Sequence, residues 1–198
     1  MSGVFAQSRA SVSRSAVEDL IAHSGAVMMG HFELASGKHA RRYFSAARLL
    51  GRPEVTDQLS RGIAEACRDF GVDTVLGANE AGSVLAAGTA RELELPLVLA
   101  GRRGGDYRLL GVEELSGARV LVVDDVTTSG GTAKILRDLV TDAGGTVAGL
   151  GLVATKGMVE LELGVPTAVL CTLSGMDAVP AEECPDCAQG LTPSPTVA

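Results

Sequence analysis

The chain has 198 residues, of which 46% are hydrophobic and only 3% aromatic, with 25 glycines. That length suits one domain with a core of Ala, Val and Leu and leaves little room for two. A net charge of −7 argues against electrostatic capture of nucleic acid. The first thirty residues hold no unbroken apolar segment, and four cysteines are too few for a disulfide scaffold. Neither a signal peptide nor a membrane span is expected, and a soluble cytoplasmic protein is the default reading.

Residues 1–14 are small and polar and read as a loose tail. Ala16, Leu20 and Ile21 suit a short helix over Ser15–Ser24, and Met28–Phe32 and Arg42–Ala47 read as strands around the turn at 35–38. Pro53 opens a helix with Val55, Leu59, Ile63, Cys67 and Phe70 along one face. Thr74–Ala78 predicts a strand, Gly82–Leu93 an Ala-rich helix and Leu97–Ala100 another strand, followed by a charged loop over 101–110. Val120–Val123 predicts a buried strand and Thr132–Ala143 a helix with Ile135, Leu136 and Leu139 facing inward. Val147–Ala154 and Thr167–Cys171 complete the strands, and 188–198 reads as a second tail. Strands alternating with helices imply an α/β domain with a parallel sheet. No internal repeat is visible.

The most informative run is Val120 to Ala133: four apolar residues, the acids Asp124 and Asp125, then Thr127, Thr128, Ser129, Gly130, Gly131 and Thr132 opening a helix. Ligands of parallel α/β sheets bind beyond the carboxyl ends of strands, which places the acid pair for work. The N–H groups of a helix start, the helix dipole and the hydroxyls favour a phosphate, and the glycines allow close approach. A sugar phosphate, with hydroxyls a few ångströms from its phosphate, suits such a site. The bland alternative is a solvated strand end with a helix cap.

Other motifs are weaker. No Gly-Lys-Ser/Thr run supports a nucleoside-triphosphate P-loop, and Gly149 to Ala154 matches the dinucleotide fingerprint only inside a predicted strand. Cys184 and Cys187 form one C-x-x-C, but zinc requires two further ligands and none lies nearby, so a structural turn is the preferred reading. Zinc shared across a dimer is the remaining option. His23 and His31 are spaced like nothing catalytic.

The run at 120–133 resembles the 5-phosphoribosyl 1-pyrophosphate (PRPP) motif of type I phosphoribosyltransferases. That family has a parallel sheet flanked by helices and a small N-terminal hood. The resemblance implies that Asp124 and Asp125 hold the ribose hydroxyls and that the loop at 128–132 holds the 5′-phosphate. Gly30 to His39, with Tyr43, Ala47, Arg48 and Leu49, is similar to the N-terminal segment of orotate phosphoribosyltransferases, and Cys184 to Gly190 to the carboxyl terminus of a bacterial subgroup. Implied are transfer from PRPP to orotate, Mg²⁺ carried by PRPP and waters, and a homodimer whose mobile loop serves the neighbouring site.

Carried over, Arg102 stabilises pyrophosphate, with Arg103 and Lys38 as further PRPP ligands, and Thr128, Lys156, His39 and Tyr43 face the base. The chain departs from the family pattern at Asp106, where the subgroup has Lys, and at Glu80 in the pyrophosphate-loop position. It also departs at Lys156, where an Arg binds the base carboxylate, and at Ala40, a serine elsewhere. Transfer to another heterocycle, or a PRPP sensor without turnover, are the alternatives.

Overall fold

The structure, a computed structural model, describes residues 12–104, 106–157 and 164–196. Its centre is a six-stranded sheet in the order β5-β4-β3-β6-β7-β8. The strands are β3 (Thr74–Ala78), β4 (Leu97–Arg103), β5 (Asp106–Leu110), β6 (Arg119–Thr127), β7 (Thr146–Lys156) and β8 (Thr167–Leu173). All neighbours pair parallel except β5, which returns antiparallel along β4.

The apolar run of β6 forms a strand buried on both faces, as parallel strands covered by helices require. Its side chains alternate between two cores. Leu121 and Val123 join a cluster with α1 (Arg14–Ser24), α2 (Ala46–Leu50), α3 (Pro53–Cys67) and α4 (Asn79–Leu93), while Val120 and Val122 face α5 (Gly131–Asp142). Val55, Leu59, Ile63 and Cys67 of α3 are all buried, as their spacing predicts. In α5 the buried stripe is Ala133, Leu136 and Val140, and Ile135, expected to face inward, is exposed.

The Gly-Leu-Gly run lies inside β7 and serves packing. A Cβ at Gly151 would come within 2.5 Å of Ile63 Cγ2, and one at Gly149 within 2.5 Å of the Phe70 ring. The missing side chains let α3 and the turn after it lie directly on the sheet.

A second sheet, β10-β1-β2-β9, forms the hood. The hairpin β1 (Val27–Glu33) and β2 (His39–Phe44) is flanked by β9 (Ala178–Val179) and β10 (Ser194–Pro195). Both edges of the hairpin are therefore covered by the C-terminal segment. The stretch read as a tail contributes a 3-10 turn at Cys187–Gln189 and the β10 pairing, and residues 197–198 lie outside the described ones. Of the other predicted tail, residues 1–11 lie outside the described ones, Ser13 caps α1 and Arg14 opens it.

Two further expectations are corrected. The charged loop at 101–110 is a hairpin, because Tyr107 turns inward and is buried while its neighbours alternate outward. The Ala-rich helix starts at Asn79, directly from β3, instead of at Gly82.

Gly151→Ala is expected to destabilise the fold by about 1–3 kcal/mol through overpacking against the stiff Ile63 side chain. Thermal unfolding checks this, and Ile63→Ala, which removes the clashing Cγ2, should make the double variant lose less than the sum of the two single losses.

Candidate active site

β6 carries Asp124 and Asp125 beyond the apolar interior to the carboxyl edge of the sheet. The chain then turns through Thr128 to Gly130 into α5. Gly130 makes that turn in the left-handed region (φ 73°), and its N–H donates to Thr127 Oγ1 at 2.9 Å. No side chain caps α5. The N–H groups of its first turn, which have no intrahelical acceptors, remain aimed out of the helix start. With the helix dipole behind them they form an anion seat.

The acid pair is electrostatically loaded. Burial, then the charge of Asp125 and hydrogen bonding to its side chain, push the Asp124 carboxyl well above the usual carboxylate range. The Asp125 backbone N–H, 3.0 Å from Asp124 Oδ1, opposes the shift. Gly82 allows the start of α4 to close over this group: a Cβ there would meet Asp124 Oδ1 and the Val123 carbonyl at 3.1 Å. A buried carboxylate of this kind gains most from a ligand that brings hydroxyl donors.

The pair opens into a cleft of about 700 Å³. Its walls come from Tyr43 to Ala47 at the end of β2, from Asn79 to Val84 in α4, and from Thr132 at the start of α5. Three carboxylates, Glu80, Asp124 and Asp125, line it; no lysine or arginine does so among the described residues.

Cations stand at its margins. Lys156 ends β7, next to the register pair Thr127–Thr155. Its half-buried position lowers its pKa, with the charge of Asp125 opposing. Arg102 stacks over the Tyr107 ring, 5.0 Å from its centroid. It lines an adjacent hollow shared with Asn79, Glu80, Tyr107 and Thr132. Asn79 fixes the hairpin to this edge: it turns β3 into α4 with φ 56°, and its Nδ2 donates to Tyr107 Oη at 2.7 Å. Asparagine tolerates that backbone conformation better than most non-glycine residues.

The structure thus brings together Asp124, Asp125, Tyr43, Thr132 and the loop at 127–131, with Lys156 and Arg102 at the rim. Thr128 and Ser129 are exposed in that loop. Arg103 lies away from the cleft, in a groove with Arg108 and Leu109 to Glu113, and is in register with Asp106 near the hairpin end. Lys38 is exposed in the β1–β2 turn. His39 is buried in the hood with its Nδ1 facing His31 and Cys187, so its ring is engaged there and does not line the cleft. The positioning roles of Asn79 and Gly82 were not read from the sequence. The only signal is their place just past the end of a predicted strand.

No family model matches the chain. An orotate phosphoribosyltransferase of Desulforamulus reducens is 35% identical over 181 residues, covering 91% of this chain and 94% of the relative. Among solved structures, orotate phosphoribosyltransferase from Aeropyrum pernix has a TM-score of 0.69 at 27% identity, covering 79% of this chain and 93% of that one. Adenine phosphoribosyltransferase from Rhodothermus marinus has a TM-score of 0.65 at 22% identity, covering 80% and 99%. The fold is that of the type I phosphoribosyltransferases, and the chemistry that goes with it is pentosyl transfer. Within that class, the chain belongs to the orotate phosphoribosyltransferase family.

Because the folded-state pKa of Asp124 is raised, its contribution to stability is full below the ordinary carboxylate pKa and is lost as pH rises through the raised value. At neutral pH, above the ordinary carboxylate range, the group therefore costs the ligand-free protein stability. Asp124→Asn is expected to raise the neutral-pH Tm by about 2–4 °C for each kcal/mol recovered. The gain should shrink toward zero in acid, and turnover should be lost. Unfolding curves across a pH series check the sign.

Proposed function

We propose that the protein is a soluble cytoplasmic homodimer that transfers the 5-phosphoribosyl group of PRPP to orotate, giving orotidine 5′-monophosphate and pyrophosphate. The carrying observation is the half-buried Asp124–Asp125 pair beside the uncapped start of α5 in one cleft. The two carboxylates accept hydrogen bonds from the ribose 2′- and 3′-hydroxyls. Thr127 to Thr132 hold the 5′-phosphate through backbone N–H groups and hydroxyls.

In the reaction the bond from C1′ to the pyrophosphate oxygen breaks as the bond from N1 of orotate to C1′ forms, and the N1 proton passes to the departing pyrophosphate or to water. Positive charge grows on the ribose ring and negative charge on the leaving group. Positioning and electrostatics carry such a step, so no side-chain nucleophile is needed. The acids beside the ribose favour the developing cation. Arg102 is assigned to the departing pyrophosphate, and Lys156, with Thr128 and Tyr43, to the base. A cleft lined, among the described residues, by three carboxylates and no cation fits a polyanionic substrate only if that substrate arrives with its own counter-charge. Mg²⁺ carried by PRPP would supply it, and Asp124, Asp125 and Glu80 are the acidic groups that would face it.

The family membership supports orotate, and Lys156 supplies a cation for its carboxylate. The same fold in adenine phosphoribosyltransferases makes a base panel the decisive experiment. With Mg²⁺ and PRPP, orotate should yield orotidine 5′-monophosphate; turnover of adenine or another base with orotate inert would overturn the assignment. Lys156→Ala is expected to raise the KM for orotate by about 10–100-fold while changing the KM for PRPP far less. Lys156→Arg should keep most activity.

Homodimer formation is supported by the hairpin. Arg103 and Arg108 face a groove away from their own cleft, which is the side available to a neighbouring site. Mixing inactive Asp125→Asn with inactive Arg103→Ala/Arg108→Ala chains should restore about a quarter of wild-type activity, since half the dimers then hold one intact site. Hybrids without activity would assign the arginines to their own cleft.

A further inference from the structure

Four groups that the phosphoribosyl site does not use converge in the hood. His31 Nε2, His39 Nδ1, Cys184 Sγ and Cys187 Sγ lie within 4.8 Å of one another. His31 Nε2 is 3.1 Å from His39 Nδ1, 3.3 Å from Cys184 Sγ and 3.7 Å from Cys187 Sγ. Cys187 Sγ is 3.2 Å from His39 Nδ1. From the geometry we infer that these four side chains form a structural zinc site binding the C-terminal segment to the β1–β2 hairpin.

Hydrogen bonding alone accounts poorly for the cluster. A ring nitrogen has one in-plane proton or one lone pair, yet His31 Nε2 faces three polar atoms. A cation at the centre would take one lone pair from each residue. Zinc bonds of about 2.0–2.1 Å to nitrogen and about 2.3 Å to sulfur set tetrahedral edges of about 3.3 Å between nitrogens and about 3.6 Å between nitrogen and sulfur. The separations above match those edges to within a few tenths of an ångström. Two thiolates with two imidazoles are also the donor set that selects zinc over Mg²⁺ or Ca²⁺.

The surroundings are built for it. His39 and Cys184 are both buried, 6% and 5% exposed. His31 Nδ1 is buried without a protein partner among the described residues, so that ring directs its polar contacts into the cluster. Between the cysteines, Asp186 receives both Arg41 Nε, at 3.0 Å, and the Arg41 terminal nitrogen, which anchors the C-x-x-C turn to β2. All four coordination positions come from protein, which is the arrangement of a closed structural site and not a catalytic one.

The expectation of a structural turn for Cys184 and Cys187 is thereby revised. The two missing ligands lie about 150 residues upstream in the sequence, on strands that the fold folds back beside them.

The full-length chain, purified without chelator, is expected to carry about one zinc by elemental analysis. Co²⁺ substitution should give the visible bands of a tetrahedral thiolate–imidazole centre. Stripping the metal should lower the Tm by at least about 5 °C, and adding Zn²⁺ should restore it. Cys184→Ser and His31→Ala should lose the metal, and His23→Ala, an exposed histidine outside the cluster, should keep it. If the cysteine variant fails to fold, the wild-type stripping and Co²⁺ measurements still decide. A wild-type chain that takes up neither Zn²⁺ nor Co²⁺, or that holds a Cys184–Cys187 disulfide instead, overturns the site.

Discussion

Desolvation of the Asp124 carboxylate is the constraint around which the cleft is arranged. Val120 to Val123 are fully or almost fully buried, and the next residue on the same strand is an acid. Gly82 draws α4 against it, Asp125 adds a like charge, and only one backbone N–H answers. A protein under selection for stability alone has no reason to keep this group. It persists because the sheet edge holds it rigidly where hydroxyl donors of a ligand can relieve it. The neighbouring helix start adds the complementary half, donors without acceptors. Ligand-free, each half is unsatisfied in the opposite sense. One molecule with hydroxyls and a phosphate on the same small ring satisfies both.

That arrangement also explains why the cations stand back. A lysine or arginine inside the cleft would neutralise Asp124 and Asp125 directly and remove the demand that a sugar meets. Lys156 and Arg102 instead sit at the margins, the first half-buried at the end of β7 and the second stacked on Tyr107. An acidic cleft of this kind disfavours a bare polyanion and favours one that arrives with its own counter-charge. The hydrogen bond from Asn79 to Tyr107 ties the arginine hairpin to the β3–α4 junction, so its position is set by the same edge that presents the acids.

The sheet and the phosphate seat were legible in the sequence because they rest on local signals. A run of β-branched and aliphatic residues with acids at its end needs no distant partner to be recognised, and the four-residue stripe of α3 declares its buried face. Other features depended on contacts between distant segments. The hairpin at 101–110 is too rich in glycine and arginine to read as strand, and only burial of Tyr107 on the sheet defines its register. The placement of Ile135 was misread because the α5 stripe begins at the small residue Ala133, whose burial follows from packing and not from hydrophobicity. The stretch 188–198, poor in large apolar groups, reads as a tail because its one strand, the two residues of β10, has no independent stability.

Strand β2 joins the two special regions of the molecule. His39 stands at its start and Tyr43 and Phe44 at its end, so a four-residue step of about 13 Å connects the cysteine–histidine cluster to the cleft wall. The hood sheet is otherwise weakly held. Its flanking strands pair through two residues each, and a bulge interrupts the hairpin between Met29 and Phe32. Aliphatic packing cannot fix it firmly, because the hood contributes few large buried side chains beyond Phe32 and Phe44. A cross-link between the hairpin and the C-terminal turn supplies the rigidity that a small core lacks. The cleft wall at Tyr43 to Ala47 then inherits its position from a cluster that never touches the substrate. In that sense the far end of the chain belongs to the active site: it holds one wall of the cleft in register with the acids on β6.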